Sequence, residues 1–248
     1  PKALEWLEAR TDDRPLCLFV GTNWPHVPWP QDTAGIDPAA LRIPPNHVDN
    51  PVTRQWRARY AAAVRIMDDE LGKVYDLARR KLGPDTLFLH TSDHGAQWPF
   101  GKWSLYDDGI RTPLIVAWPG RVAPATRTAA MVSWIDILPT LVEAAGGNPA
   151  KQSYDGSSFL AVVLGERSTH REYACGLHNN IPEGPAYPIR TVSNGRFRYI
   201  RNLTPDEIYI EKHLMGIVGD GSLNNPYWAS WIWDSAKSPN TYALVKRY

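Results

Sequence analysis

Apolar and polar positions along the chain fall into runs of contrasting period. From Thr53 to Leu82, Tyr60, Val64, Met67, Leu71, Val74, Leu77 and Ala78 recur at three- and four-residue steps, which places them on one face of a long helix. Gly83-Pro84 supplies its stop signal. Ahead of it, Pro1 to Arg10 has the spacing of the end of an amphipathic helix. Three continuous apolar runs have strand length: Pro15 to Gly21, Thr86 to Thr91 and Pro113 to Trp118. Continuous apolarity is expected of strands buried on both faces, as in a parallel sheet between helices. Cys17 lies inside the first run and is expected to be a buried thiol. Val132 to Gly147 predicts a strand end followed by a helix closed by glycine. From about Glu172 the texture changes to short alternating runs, with Asn194-Gly195 as a hairpin signal between them. Pro205 to Gly216 is expected to be helical, and the Trp-rich stretch from Tyr227 to Trp233 has no assignable period. The pattern as a whole predicts an α/β fold. A mixed, mostly parallel sheet flanked by helices fills residues 1–170, and a small antiparallel subdomain fills residues 171–248.

Composition narrows the classes. The 248 residues suffice for one large domain or two small ones. A hydrophobic share of 43% with a net charge of +1 indicates a folded globule and argues against a nucleic-acid partner, which needs a strongly basic field. No run reaches the roughly 20 apolar residues that span a bilayer, so no membrane partner is expected. The chain opens mid-helix at Pro1-Lys-Ala-Leu-Glu-Trp-Leu, the texture of the middle of a longer protein. Two cysteines permit at most one disulfide. Eleven Trp residues offer rings that stack on sugars, although most are expected in the core.

Candidate chemistry concentrates where the second apolar run stops. Thr91-Ser-Asp-His-Gly puts a carboxylate and an imidazole at a strand end, the edge at which open α/β sheets bind ligands. Asp93 offers oxygen donors and His94 a nitrogen, half of a plausible metal site. Lys102 adds a mobile cation for an anion beside it. The competing reading makes Asp93 a turn cap and His94 an ordinary loop residue. His26 follows the first run within Asn23-Trp-Pro-His-Val-Pro, and an imidazole there suits proton transfer. It reads equally as a loop histidine. His47 is expected to be structural. The pairs Asp12-Asp13, Asp68-Asp69 and Asp107-Asp108 are not metal sites, because neighbours on a helix diverge by about 100°.

Taken together, Ser92-Asp-His-Gly, Gly101-Lys, Ile110-Arg-Thr-Pro and the apolar run ending at Trp118-Pro-Gly resemble the metal-binding segment of sulfatases, in the alkaline-phosphatase superfamily. Pro25-His-Val-Pro, the Asp136-x-x-Pro-Thr block and Gly156-Ser-Ser-Phe-Leu extend that likeness. The segment from Leu177 to Val192, with Tyr187-Pro-Ile-Arg, is similar to the sulfamidase-like branch. The resemblance implies an alkaline-phosphatase-like fold and hydrolysis of a sulfate ester or sulfamate, with a sulfated sugar as substrate. It implies Asp93 and His94 as ligands of one divalent cation, usually calcium, with manganese also suited to the imidazole. His26 and Lys102 would contact the sulfate, Asp136 would be a structural cap, and His178 and Arg190 are candidate sugar contacts. Their alternative roles are a loop histidine and a strand arginine. The family nucleophile is a formylglycine made within Cys/Ser-x-Pro-x-Arg, and neither Cys17 nor Cys175 stands in that motif. The chain therefore corresponds to the second half of a family member, expected to be inactive alone and to need the N-terminal half of the same protein. Periplasmic or secreted placement is implied by the family. Two other readings stay open: a phosphodiesterase or phosphonate monoester hydrolase of the superfamily, and a catalytically incomplete carbohydrate-binding relative.

Overall fold

The computed structural model describes residues 2–179, 186–207 and 226–247. Its contacts cluster into two units: residues 1–81, 94–111 and 209–248, and residues 82–93 and 112–208.

In the first unit, α1 (Lys2–Ala9) precedes a long irregular stretch and α2 (Pro51–Leu82). Pro51 opens α2 with its φ already helical, and the Asn50 side chain accepts from the Thr53 N–H at 2.8 Å. Arg79, Arg80 and Lys81 in the last turn complement the negative end of the helix. The buried stripe of α2 is richer in small residues than the sequence periodicity suggests: Ala58, Ala62 and Ala63 lie in it beside Val74 and Leu77. Their small size admits large rings, and Trp29, Trp98 and Tyr227 pack with Ala63, joined by Trp56 and Tyr60. Trp29 stacks on Trp98 with centroids 5.1 Å apart. The Trp-rich stretch is helical, as α6 (Tyr227–Ser235), followed by α7 (Pro239–Arg247). Its buried Tyr227 donates to the Gln97 carbonyl at 2.7 Å, and the Trp231 indole donates to Thr53 Oγ1 at 2.8 Å. The expectation for the run Pro15 to Gly21 is not met. Residues 15–21 join no ladder, Cys17 is exposed, and Phe19 is 80% exposed. A strand apolar on both faces is held only by neighbours on both sides, and none pairs with it among the described residues.

The second unit holds β1 (Phe88–Thr91) and β2 (Leu114–Ala117), paired antiparallel with Thr91 opposite Leu114. The short helix α3 (Asp107–Ile110) interrupts the chain between them and belongs to the first unit. The mostly parallel sheet expected from the apolar runs is not formed among the described residues, whose strand pairs are all antiparallel. A helical turn at Trp134–Asp136 leads into α4 (Ile137–Ala144), and Gly146 closes it at φ 82°. After α5 (Leu160–Val163) come β3 (Ala174–His178), β4 (Ile189–Ser193) and β5 (Arg198–Asn202), an antiparallel meander. Asn194-Gly195 does form the hairpin turn, with Gly195 at φ 83°. The predicted helix at Pro205 to Gly216 lies mostly outside the described residues.

Candidate functional site

Residues 94–111 form a loop whose backbone is folded tightly on itself. Gly95 N–H donates to the Gly109 carbonyl at 2.8 Å, and Lys102 N–H donates to the Ala96 carbonyl at 2.9 Å. A Cβ on Gly95 would run into the Asp108 carbonyl, and one on Gly101 into the Ala96 carbonyl, so both positions require glycine. Phe100 and Trp103 adopt φ of 65° and 66°, a region that non-glycine residues seldom occupy and that clusters at functional sites. This winding holds the Lys102 ammonium 4.7 Å from the centre of the Trp103 ring and 3.2 Å from His26 Nε2.

His26 reaches that position from a proline-flanked loop, 76 residues away in sequence. Its Nδ1 lies 2.6 Å from the Val27 carbonyl, which can only accept, so the ring proton is assigned to Nδ1. Nε2 then carries the lone pair and accepts from the Lys102 ammonium. The result is an exposed imidazole beside a fixed cation, able to hold a tetrahedral oxyanion and to exchange a proton with it.

Asp93 and His94 are consecutive, where β1 gives way to this loop. Ser92 Oγ donates to Asp93 Oδ1 at 3.4 Å, and His94 Nδ1 lies 2.8 Å from the Gly95 carbonyl. An outer N–H tied to a carbonyl is the arrangement found for metal-ligating imidazoles, because it directs Nε2 at the ion. A carboxylate and an imidazole are donor types that a divalent cation accepts. Among the described residues no three His, Cys, Asp or Glu side chains converge.

His178 and Arg190 fall on adjacent strands. His178 pairs with Ile189, and Arg190 with Leu177 and Arg201. Directly opposed residues share a face and consecutive ones alternate, so the two side chains stand on opposite faces of the sheet. Arg190 Nη1 donates to the Ile189 carbonyl at 2.8 Å and to the His178 carbonyl at 3.4 Å.

Asp136 is structural. Fully buried, it accepts from the Ser133 and Ser157 N–H groups at 2.9 Å each, from Arg171 Nε at 2.5 Å and from Arg171 Nη2. Burial pushes its pKa up, but the Arg171 hydrogen bonds and the two backbone N–H groups outweigh this and hold it below the ordinary value. His170 Nε2 lies 3.3 Å from Asp136 Oδ2 and 3.4 Å from Ser157 Oγ. Both partners face the same ring nitrogen, which rules out a proton relay from serine through histidine to the carboxylate.

His47 is structural too. It sits among Trp98, Trp231 and Arg57, with the Arg57 guanidinium 4.7 Å from the Trp98 ring centre. Burial, then the Arg57 charge, lowers its pKa to about 3, so it stays neutral. Sequence reading missed Trp103 and Val27, which fix the cation and the tautomer at the candidate site. The one available signal was the adjacency of an aromatic to Lys102.

An ammonium held beside an imidazole by a glycine-shaped loop is an arrangement that can bind an oxyanion. The sulfatase family profile matches residues 1–147, and that for the N-sulphoglucosamine sulphohydrolase C-terminal region matches residues 93–209. The chain belongs to the sulfatase family. An ulvan-active sulfatase from Formosa agariphila is 27% identical over 208 residues, covering 82% of this chain and 41% of that protein. Arylsulfatase G from Mus musculus is 28% identical over 191 residues, covering 66% of this chain and 33% of the relative. The chain thus spans less than half the length of these curated relatives. A solved structure from Bacteroides fragilis described as a sulfatase superposes with a TM-score of 0.67 at 20% identity, covering 98% of this chain and 59% of that one. That likeness carries the alkaline-phosphatase-like α/β fold for the chain. Among the described residues no helix is long and apolar enough to cross a membrane.

Proposed function

We propose that the protein hydrolyses a sulfate ester or sulfamate on a sulfated sugar, and that residues 1–248 supply the sulfate-holding side of its active site. The observation that carries this is the 3.2 Å approach of Lys102 Nζ to His26 Nε2. An ammonium and an imidazole so placed can bind the sulfate oxygens and the leaving-group oxygen together. Developing negative charge on the leaving oxygen is then met by Lys102, and His26, after taking a proton on Nε2 from solvent, delivers it to that oxygen. The nucleophile, a formylglycine, lies in the N-terminal half of the same protein, which also completes the coordination shell begun by Asp93 and His94. A divalent cation, calcium by family habit or manganese given the imidazole, supplies electron withdrawal from the sulfate oxygens when bound. Residues 1–248 alone are inactive on this reading. The apolar run Leu16 to Val20, exposed at residues 17–19, is covered in the complete protein, and export to the periplasm or exterior suits a polymeric substrate.

Phosphate and sulfate are both tetrahedral, so the discriminating experiment uses the complete protein with paired aryl sulfate and aryl phosphate esters and a sulfated monosaccharide. The reading expects kcat/KM to favour the sulfate esters by at least about a hundredfold, roughly 2.7 kcal/mol of transition-state discrimination. Preference for phosphate ester overturns it in favour of a phosphodiesterase. Turnover of neither supports a carbohydrate-binding relative without catalysis.

A further inference from the structure

His26 and Lys102 are both carried by irregular backbone, since neither lies in a helix or a strand. Sites on loops are held less closely than sites on regular elements, so their 3.2 Å approach draws on support from outside the loops. One aromatic stack in the same unit supplies it. Trp29, Trp98 and Tyr227 are 4%, 3% and 0% exposed. The Trp29 ring stacks on Trp98 at 5.1 Å and on Tyr227 at 6.2 Å, and Trp98 and Tyr227 lie 4.5 Å apart. Trp56 and Tyr60 of α2 close on Trp29 at 6.0 and 5.2 Å, which seats the stack on the longest helix. Rings packed this closely have little freedom to change rotamer.

Each ring reaches one of the two loops through a polar atom. The Trp29 indole donates to the Pro25 carbonyl at 2.9 Å. That carbonyl shares a planar peptide with the His26 nitrogen, so holding it sets where the His26 Cα departs. On the other loop, the Trp98 N–H donates to the Ala96 carbonyl at 2.8 Å, and the Lys102 N–H donates to the same oxygen at 2.9 Å. The ring and the lysine thus hang from one acceptor. Between them, the Tyr227 hydroxyl donates to the Gln97 carbonyl at 2.7 Å. Val27 and Trp103, which hold the imidazole and the ammonium directly, pack against the same cluster.

We propose that Trp29, Trp98 and Tyr227 are positioning residues, a single stack that sets the spacing of His26 and Lys102. Trp29 acts through His26, and Tyr227 and Trp98 act through Lys102. Packing alone would be met by any apolar side chains of the right volume. The indole and the hydroxyl instead end on carbonyls one and five residues before the paired side chains. The inference rests on the catalytic role proposed above for that pair. One arm of its test is therefore read without turnover: the His26 tautomer, with the ring proton on Nδ1 against the Val27 carbonyl. A protein that cleaves no sulfate ester still reports it, so failure of the catalytic reading and failure of this one are told apart.

The test compares single substitutions in two backgrounds of the complete protein. Trp29→Phe keeps a ring but loses the donor, and should lower kcat for a sulfate ester about tenfold or more while KM moves less than about threefold. Placed on His26→Gln, the same change should cost less than about twofold, because the group it positions is gone. Tyr227→Phe removes one oxygen and should lower kcat about threefold to tenfold, an effect that disappears on Lys102→Met. If Trp29→Phe does not fold, this near-isosteric variant carries the comparison alone. Thr53→Val breaks another buried indole hydrogen bond of the unit and should leave kcat within about twofold. Nitrogen NMR of histidine-labelled protein, with His26 assigned through His26→Gln, should show the Nδ1–H tautomer in the wild type and a mixture of tautomers in Trp29→Phe. Equal losses in both backgrounds, a Thr53→Val loss as large as that of Trp29→Phe, or an unchanged tautomer in folded Trp29→Phe each overturns the assignment.

Discussion

Around Asp136 and around His26 the chain brings an imidazole close to a strong cation, and the two clusters differ in burial. Asp136 has no exposed surface, and both its oxygens are taken up by Arg171, two backbone N–H groups and His170. Every charge there is answered from within the fold, so the cluster can only hold α4 and residues 157–171 in place. At His26 the cation faces an imidazole lone pair and an indole ring, and the imidazole is exposed. An exposed imidazole beside an ammonium can be approached by a ligand from solvent. The lesson is that composition does not separate structure from function here. The burial of each group does.

The sharpest way to break the contrast is to remove the carboxylate. Asp136→Ala leaves Arg171 without its partner and should cost about 3–5 kcal/mol, read by urea denaturation. A loss under about 1 kcal/mol would make Asp136 an ordinary surface-like acid. Lys102→Met should instead leave the denaturation midpoint within about 0.5 kcal/mol while lowering kcat/KM in the complete protein by about 10²–10³-fold. A third test uses pH. The folded pKa of His47, about 3 against an ordinary 6.5, lies below its unfolded value. Protons therefore bind the unfolded chain preferentially, so stability is full above pH 6.5 and falls by about 1.4 kcal/mol per unit on the way down toward 3. His47→Phe should flatten that slope. The Asp136 contribution has the same sign in a lower window: it is present above the ordinary carboxylate pKa of 3.8 and is lost as pH falls through its lowered value. The smallest effect belongs to Thr53→Val, which deprives the Trp231 indole of its acceptor and should cost about 1–3 kcal/mol.

The elements legible in the sequence are those set by local spacing. Helix α2, its Gly83 stop and the turn at Asn194-Gly195 follow from periodicity and from φ requirements that neighbouring residues state themselves. Asp136 as a cap came through the family pattern. Pro15 to Gly21 was not, because a doubly buried strand is defined by neighbours its own residues do not name. The alanine stripe of α2 was hidden because Ala58, Ala62 and Ala63 are buried by the rings they admit rather than by their own hydrophobicity. The Arg190–Arg201 opposition turned on loop length. A two-residue Asn-Gly turn would pair Ser193 with Arg196 and set Arg190 against Tyr199, whereas the observed pairing of Ser193 with Arg198 sets it against Arg201.

The central claim is that His26 and Lys102 act as one unit on a single oxyanion. The direct measurement is a double-mutant cycle on kcat/KM for a sulfate ester in the complete protein, using His26→Gln, Lys102→Met and the pair. Cooperation predicts that the double variant is scarcely slower than the worse single variant, a coupling of about 1–3 kcal/mol. Strictly additive losses would mean that the two groups work apart and would contradict the account.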